Sequence, residues 1–208
     1  MGHGRLRSVG LVGTYPPTKC GIATFNASLA NAMAAAQPGC RFGVVACVDR
    51  HPPMPHSSDV VAQLVRGSAA SHTAAIAALG EFDVVMLQHE FGIYGGEDGR
   101  DVLDLARDLR VPLIVVLHTI PRRPTPVQRA IIEQLAAHAD RLVVQSAAAR
   151  VRLHEQYVVD PEQVRTIPHG ARANLSPEPW QRDGSRSPVV LTWGLLGRGK
   201  GIEWGIEA

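Results

Sequence analysis

The sequence predicts an α/β fold, a doubly wound parallel sheet with helices on both faces. Short β-branched apolar runs alternate with longer alanine-rich segments through most of the chain. Several of the runs are apolar at consecutive positions, as expected for strands that are covered on both faces. Strands and helices alternating at this spacing are typical of parallel sheets built from βαβ units. A chain of 208 residues can bury about 70% of its extended surface, enough for a core without disulfides or metals.

Each element follows from its local pattern. The predicted strands are Val9–Val12, Phe42–Val48, Val60–Val65, Val84–Gln88, Leu113–His118, Leu142–Gln145, Val164–Ile167 and Val189–Trp193. The predicted crossover helices are Ile22–Ala36, Ala69–Leu79, Asp101–Leu109, Pro126–Ala139 and Ala147–Tyr157. In the fourth helix, apolar residues recur at every fourth position from Val127 to Ala139, which places them on one face. Pro126 lies near its start, where a missing N–H costs nothing.

The chain is predicted to contain one domain and the beginning of another. Residues 172–188 are polar and rich in proline and serine, which is typical of a linker or an exposed loop. One more strand, a glycine-rich turn and the opening of a helix follow this stretch. We therefore expect a Rossmann-like first domain over 1–175, a linker over 176–187 and the truncated start of a second domain over 188–208.

Composition and charge exclude several classes of protein. Apolar residues make up 45% and charged residues 19% of the chain, which excludes disorder as its main state. A formal net charge of +2 and only 5% aromatic residues argue against a nucleic-acid-binding surface. The apolar runs are far shorter than the roughly 20 residues of a membrane helix. Three cysteines and the lack of an apolar leader favour a cytoplasmic protein.

Candidate functional residues are those that follow strands, because open parallel sheets bind ligands outside the carboxyl ends of their strands. The loop after the first strand runs from Gly13 to Phe25, and Gly21 stands where the next helix begins. Free N–H groups of Gly21, Ile22 and Ala23 would form an anion site at that helix N-terminus. An ordinary turn between a strand and a helix explains the same glycine, so both interpretations stay open.

Three later strands are each followed by a histidine. His89 and Glu90 open a loop with four glycines, where they are suited to donate to and accept from a sugar-like ligand. A solvated surface pair would give the same pattern. His118 follows five apolar residues, and His169 follows the seventh strand. A lone histidine at a strand end is more often structural, and it is the recurrence at one sheet edge that favours a reaction centre.

Other chemistries have weaker support. Three histidines at one edge suggest a metal site, but no H-x-H or H-E-x-x-H spacing fixes two ligands on one element. Cys20 has no assigned base for nucleophilic catalysis. Residues 194–201 approach the phosphate-loop pattern G-x-x-x-x-G-K-[ST], but Gly201 stands where the Mg²⁺-binding hydroxyl belongs. Lys200 and the glycines around it remain suited to phosphate contact.

Taken together, the motifs resemble the N-terminal domain of a GT-B glycosyltransferase of the retaining family four. The segment Tyr15-Pro-Pro-Thr-Lys-Cys-Gly21-Ile-Ala-Thr-Phe25 is similar to that family's first glycine loop. Its later landmarks resemble Gln88-His-Glu-Phe-Gly92, Leu117-His118-Thr119, Ser146 and Ile167-Pro-His-Gly170. Leu191-Thr-Trp-Gly194 and Lys200-Gly-Ile-Glu203 resemble the opening of its C-terminal donor domain.

The resemblance implies two Rossmann-like domains that close over a nucleoside-diphosphate sugar and transfer its hexose to an acceptor with retention. It implies that His118 is catalytic and lies beside the transferred sugar, and that Gly21 and Lys200 contact the donor diphosphate. Many members carry an arginine where Leu195 stands. Arg198 is the candidate replacement on the diphosphate.

The resemblance also implies what surrounds this centre. The residues expected to contact the acceptor or the sugar are Tyr15, Lys19, His89, Glu90 and His169. No metal and no cofactor are expected, since a fixed cation neutralises the departing phosphates; the nucleotide sugar is a co-substrate. The partners are that nucleotide sugar, an unknown acceptor and a missing C-terminal domain, without which this chain is expected to be inactive.

Some alternatives stay open. Arg122 and Arg123 beside the His118 loop suit an anionic acceptor or peripheral contact with a lipid surface, although two exposed arginines are usually only solvated. A non-catalytic binding or assembly module could use the same fold and cleft. A histidine-based metallohydrolase is the third interpretation.

Overall fold

The computed structural model describes residues 6–49, 57–171, 191 and 201–207. The chain divides into two compact units, Met1–His169 and Gly170–Ala208. The predicted linker over 176–187 lies outside the described residues. The predicted eighth strand, Val189–Trp193, also lies outside them except for Leu191.

Seven strands form one sheet in the first unit. They are β1 (Ser8–Gly13), β2 (Arg41–Val48), β3 (Val60–Val65), β4 (Val84–His89), β5 (Leu113–Leu117), β6 (Arg141–Val144) and β7 (Val164–Thr166). Every pair is parallel, and the order is β3-β2-β1-β4-β5-β6-β7. The predicted doubly wound parallel sheet is confirmed.

The predicted helices are confirmed as well. They are α1 (Gly21–Ala36), α2 (Ala69–Leu79), α3 (Val102–Asp108), α4 (Pro126–His138) and α5 (Ala147–Gln156), and α6 (Ile202–Glu207) follows in the second unit. Two short 3₁₀ helices, Glu97–Gly99 and Pro161–Gln163, were not predicted. None of the helices in the described ranges is long and apolar enough to cross a membrane.

Polar side chains define where the helices start. The hydroxyls of Ser68, Thr125 and Ser146 each accept a hydrogen bond from the backbone N–H three residues further on. Thr125 forms a reciprocal capping box with Gln128, and Pro126 occupies the first helical position as predicted. These contacts satisfy N–H groups that have no carbonyl partner within the helix.

The side chains of β1 alternate between two cores. Val9 and Leu11 pack in a smaller core with Ala30 of α1. Val12 packs in a larger core to which α2, α3, α4 and α5 contribute. Strands β2 and β3 lie on one side of β1 and the later strands on the other, so the winding reverses between β1 and β4. Open α/β sheets bind ligands at the carboxyl ends beside such a reversal.

Candidate functional site

The ends of β1 and β4 approach α1 closely at this reversal point. Gly13 ends β1 with a φ of 154°. A Cβ at this position would lie 2.7 Å from Nδ2 of Asn26 in α1 and 3.1 Å from Cβ of Gln88 in β4. Asn26 is wholly buried and donates from Nδ2 to the Thr14 carbonyl oxygen over 3.1 Å. The missing side chain of Gly13 therefore lets three elements meet.

The start of α1 is capped by a thiol. Sγ of Cys20 accepts from the N–H of Ala23 over 3.4 Å and lies 3.0 Å from Oγ1 of Thr14. Gly21 is exposed, and a Cβ there would have no neighbouring atom within 4 Å. The N–H groups of Gly21 and Ile22 therefore suit an anion. The expectation that Ala23 also offers a free N–H is wrong, because the thiol occupies it.

His118 is held from three directions at the end of β5. Its backbone N–H donates to the His89 carbonyl oxygen over 3.1 Å, and its Nε2 lies 2.8 Å from Oε1 of Gln88. Phe25 of α1 meets the imidazole edge-on, with 4.9 Å between ring centroids. Burial, and then the nearby His169, lower the pKa of His118 to about 4. The ring is therefore neutral at neutral pH.

His89 and Glu90 occupy different environments although they are neighbours in sequence. His89 is wholly buried, and its ring packs edge-on against Phe91 with 4.8 Å between centroids. Burial, and then His118, lower the pKa of His89 to about 4. The structure does not support the predicted sugar contact of His89, because the side chain is inaccessible.

Glu90 links the loops that follow β4 and β5. Its Oε2 accepts from Oγ1 of Thr119 over 2.6 Å, and its Oε1 accepts from the N–H of Phe91 over 3.1 Å. The carboxylate remains partly exposed. Its predicted acceptor-side role is compatible with this position.

Tyr15 does not join the site. It is only 4% exposed and belongs to the smaller core. Its hydroxyl donates to Oδ2 of Asp59 over 3.2 Å. This placement corrects the predicted sugar contact, since the ring packs inside the domain and its polar atom already has a partner.

The remaining predicted residues fall into two groups. Lys19 is exposed just before the cap of α1. His169 is exposed too, and its ring centroid lies 5.1 Å from that of Phe25. One aromatic ring thus contacts both His118 and His169. Arg198 and Lys200 lie outside the described residues.

The chain matches a known protein family. The model of Glycosyltransferase Family 4 matches residues 20–174, more than half of the chain. The chain belongs to Glycosyltransferase Family 4. The match begins at Cys20, the cap of α1, and covers the ends of β4, β5 and β7. The family resemblance predicted from the motifs is confirmed.

The fold of this family 4 domain is also found in solved structures. An alpha-glucosyltransferase in complex with UDP and a 13-mer DNA containing an HMU base is 13% identical, with a TM-score of 0.56 over 79% of this chain and 42% of that one. An alpha-glucosyltransferase with UDP and a 13-mer DNA containing a central A:G mismatch is 13% identical, with a TM-score of 0.51 over 77% and 40%. An alpha-glucosyltransferase (AGT) in complex with UDP is 14% identical, with a TM-score of 0.50 over 78% and 43%.

The family 4 domain therefore spans less than half the length of each of these chains. No curated protein sequence matches it. Family membership and the shared fold identify a glycosyltransferase domain.

Sequence reasoning assigned no role to three residues that the structure places at the site, namely Phe25, Asn26 and Gln88. Asn26 and Gln88 are wholly buried. Oδ1 of Asn26 and Nε2 of Gln88 have no hydrogen-bond partner among the described residues. Burying such atoms costs free energy. The sequence does contain signals for two of these residues. Gln88 is an amide at the end of an apolar strand, and Asn26 is an amide within an alanine-rich helix.

The glycine-rich loop after β4 is fastened on both sides. Arg66, which follows β3, donates to the Gly92 carbonyl oxygen. Asp98 has a left-handed φ of 51° and accepts from Oγ1 of Thr125 over 3.3 Å and from Nε2 of Gln128 over 3.4 Å. The glycines of this loop allow close approach, since a Cβ at Gly99 would lie 2.7 Å from the Phe91 carbonyl oxygen.

Two cavities lie outside the residues around His118. One of about 830 Å³ is lined by α4, β6 and the segment around β7. The other, about 420 Å³, is lined by the ends of β2 and β3, by α2 and α3, and by Ile93, Tyr94 and Gly95 of the loop after β4. Neither is lined by Gly21, Gln88 or His118. Within the described ranges, no group of three His, Cys, Asp or Glu side chains is arranged to hold a metal ion.

Proposed function

We propose that this family 4 domain belongs to an enzyme that transfers a hexose from a nucleoside-diphosphate sugar to an acceptor, with retention of configuration. Such an enzyme needs a site for an anionic diphosphate beside a site for an uncharged sugar. The observation that carries the proposal is the neutral His118, held by Gln88 and Phe25 next to the N-terminus of α1.

The diphosphate is assigned to the start of α1. The N–H groups of Gly21 and Ile22 and the positive end of the helix dipole favour an anion there. Because no atom lies within 4 Å of a Cβ at Gly21, an oxygen can approach the backbone without displacing protein atoms. Lys200 and Arg198 are proposed to supply fixed cations that stabilise the charge developing on the leaving diphosphate, so no metal ion is required.

The transferred sugar is assigned to His118. A neutral imidazole has one nitrogen that donates and one that accepts, which suits a hydroxyl group. Lys19, Glu90 and His169 are proposed to face the acceptor. Arg122 and Arg123 are exposed and are available for an anionic acceptor or a membrane surface. We propose a cytoplasmic enzyme.

The test is glycosyl transfer by the full-length protein that contains this chain. UDP-hexoses are tested first, because UDP is the nucleotide named with the structures of similar fold, and GDP-hexoses second. We expect His118→Ala to lower turnover by roughly 10²-fold or more. His138→Ala is the matched control, because this histidine of α4 is exposed and its Nδ1 donates to the Gln134 carbonyl oxygen over 2.7 Å.

Two outcomes would count against the proposal. A near-normal rate for His118→Ala would remove His118 from the mechanism. Binding of a nucleotide sugar without turnover in the presence of any acceptor would favour a non-catalytic binding module.

The chain of 208 residues alone gives a second test. Calorimetry should detect weak or no binding of UDP and GDP, because the proposal places only the diphosphate against α1 and the nucleoside on a donor domain. Tight binding by this chain would contradict that assignment.

A further inference from the structure

The ring of His118 is neutral and therefore carries a single N–H. The nitrogen that carries it decides which hydrogen bond the other nitrogen offers to a ligand. A nitrogen bound to an acceptor inside the protein keeps its hydrogen, and the opposite nitrogen becomes an acceptor. The hydrogen-bond partner of Nε2 consequently determines whether Nδ1 acts as a donor or as an acceptor.

Gln88 is that partner, and its own position is fixed. The side chain is wholly buried near the end of β4, and its Cβ and Cγ pack against Gly13. Its backbone carbonyl oxygen accepts from the hydroxyl of Tyr94 over 2.8 Å. From this anchored backbone the amide reaches β5 and places Oε1 2.8 Å from Nε2 of His118.

His118 is partly exposed, whereas His89 is wholly buried. Because Nε2 is directed at Gln88, Nδ1 is the ring nitrogen through which a ligand would be contacted. The edge-on ring of Phe25 limits rotation of the imidazole. The geometry thus distinguishes the two nitrogens, since Nε2 is directed at Gln88 and Nδ1 is not.

We propose that Gln88 is a positioning residue that holds His118 as the Nε2–H tautomer, so that Nδ1 is presented to the substrate as a hydrogen-bond acceptor. The assignment of Nδ1 to a hydroxyl of the donor sugar rests on the proposed function, whereas the tautomer does not. An acceptor selects groups that carry a hydrogen. A sugar hydroxyl satisfies it, and a carboxylate or fluorine substituent at the same position does not.

The tautomer is measured without substrate. The chain is produced with ¹⁵N-labelled histidine, and long-range ¹⁵N–¹H correlation spectra at neutral pH report which ring nitrogen is protonated. The His118 signals are those lost in His118→Ala. We expect the Nε2–H pattern in the wild type, a mixture of tautomers in Gln88→Leu, and the wild-type pattern in the matched control Gln134→Leu, a change on the exposed face of α4.

Gln88→Glu separates positioning from packing. Its carboxylate can still accept from Nε2, so the tautomer should be retained while the pKa of His118 rises, because a nearby negative charge favours the imidazolium. Loss of the Nε2–H pattern in Gln88→Glu would contradict the positioning role, because an acceptor for Nε2 is still present in this variant. If Gln88→Leu does not fold, the wild type and Gln88→Glu decide the question by themselves.

An Nδ1–H pattern in the wild type overturns the proposal, and so does an unchanged tautomer in a folded Gln88→Leu. Turnover of the full-length protein gives the second readout, in which Gln88→Leu should lower kcat by about 10²-fold and Gln88→Glu by less. Absence of transfer by a wild type that shows the Nε2–H tautomer overturns the proposed function and leaves the role of Gln88 intact.

Discussion

Polar side chains have different environments at the two ends of the parallel strands. We call these ends the amino-terminal edge and the carboxyl edge of the sheet, and the amino-terminal edge is described first. Asp83 precedes β4 and accepts from the N–H groups of Arg7 and Ser8 over 2.8 and 3.0 Å. These contacts lower the pKa of Asp83. Asp140 precedes β6 and accepts from the N–H of Leu113 over 2.8 Å. At this edge, charged side chains bond the backbone at the starts of strands.

At the carboxyl edge three polar side chains are neutral and buried. Asn26, Gln88 and His89 are wholly buried, and each has at least one polar atom without a partner in the described part of the chain. Such groups oppose folding unless they are paired. The polar side chains at the amino-terminal edge therefore stabilise the fold through hydrogen bonds. The buried polar atoms without a partner at the carboxyl edge lower the free energy of unfolding. This difference favours the carboxyl edge as the place of the proposed site.

The largest expected effect is on the pH dependence of stability. The pKa of His89 is about 4 in the fold and about 6.5 in the unfolded chain. Between these values the unfolded chain binds a proton that the folded chain does not, so the free energy of unfolding falls as pH falls from 6.5 to 4, by roughly 3 kcal/mol. His118 adds a change in the same direction.

Urea denaturation at pH 7, 5.5 and 4.5 measures this dependence. We expect His89→Leu to reduce it, because the variant has no imidazole to protonate at this position. An equal free energy of unfolding of the wild type at all three pH values would show that burial of His89 does not destabilise the fold at acidic pH.

A smaller effect is expected for the close approach at Gly13. Gly13→Ala places a Cβ 2.7 Å from Nδ2 of Asn26, and we expect it to lower the free energy of unfolding by about 2 kcal/mol. Gly21→Ala is the matched control, since its Cβ meets no atom within 4 Å. It should be neutral or slightly stabilising, as measured by thermal and urea unfolding. Equal losses in the two variants would be incompatible with the packing described here.

The thiol cap of α1 should have an effect of about 1 kcal/mol. Cys20→Ala removes the acceptor for the N–H of Ala23, and loss of an N-cap side chain costs about this much. Cys20→Ser keeps an acceptor and should retain stability, because serine is among the preferred N-cap residues. Urea unfolding of both variants tests the cap, and a destabilised Cys20→Ser with an unaffected Cys20→Ala would reverse the expected order.

The smallest effect is expected at the amino-terminal edge. In Asp140→Asn the amide oxygen can still accept from the N–H of Leu113, so we expect a change below about 0.5 kcal/mol and no change in turnover of the full-length protein. A large loss of turnover would remove the functional distinction between the two edges.

The fold could be predicted because its signals are local. Apolar runs defined the seven strands of the sheet, and the start of α4 was marked by Pro126. The sheet edge that carries the site followed from the parallel topology. The family motifs marked the same edge.

The roles of individual residues depended on contacts that sequence does not encode locally. Gln88 and His89 are adjacent, and successive side chains of a strand point to opposite faces. One of them reaches His118 and the other packs against Phe91. Sequence spacing alone does not say which. Tyr15 was misassigned for a related reason, because its hydrogen-bond partner lies 44 positions away.

The fastened loop after β4 has a thermodynamic consequence for recognition. Glycine has the largest backbone freedom in a flexible chain, yet Arg66 and Asp98 fix this segment through contacts made by the protein itself. A molecule that contacts the loop meets a surface that is already ordered, so binding requires little further loss of conformational entropy. The conformational entropy of these glycines is lost when the chain folds. The affinity of a ligand for this surface then depends on shape and contacts rather than on rearrangement of the loop.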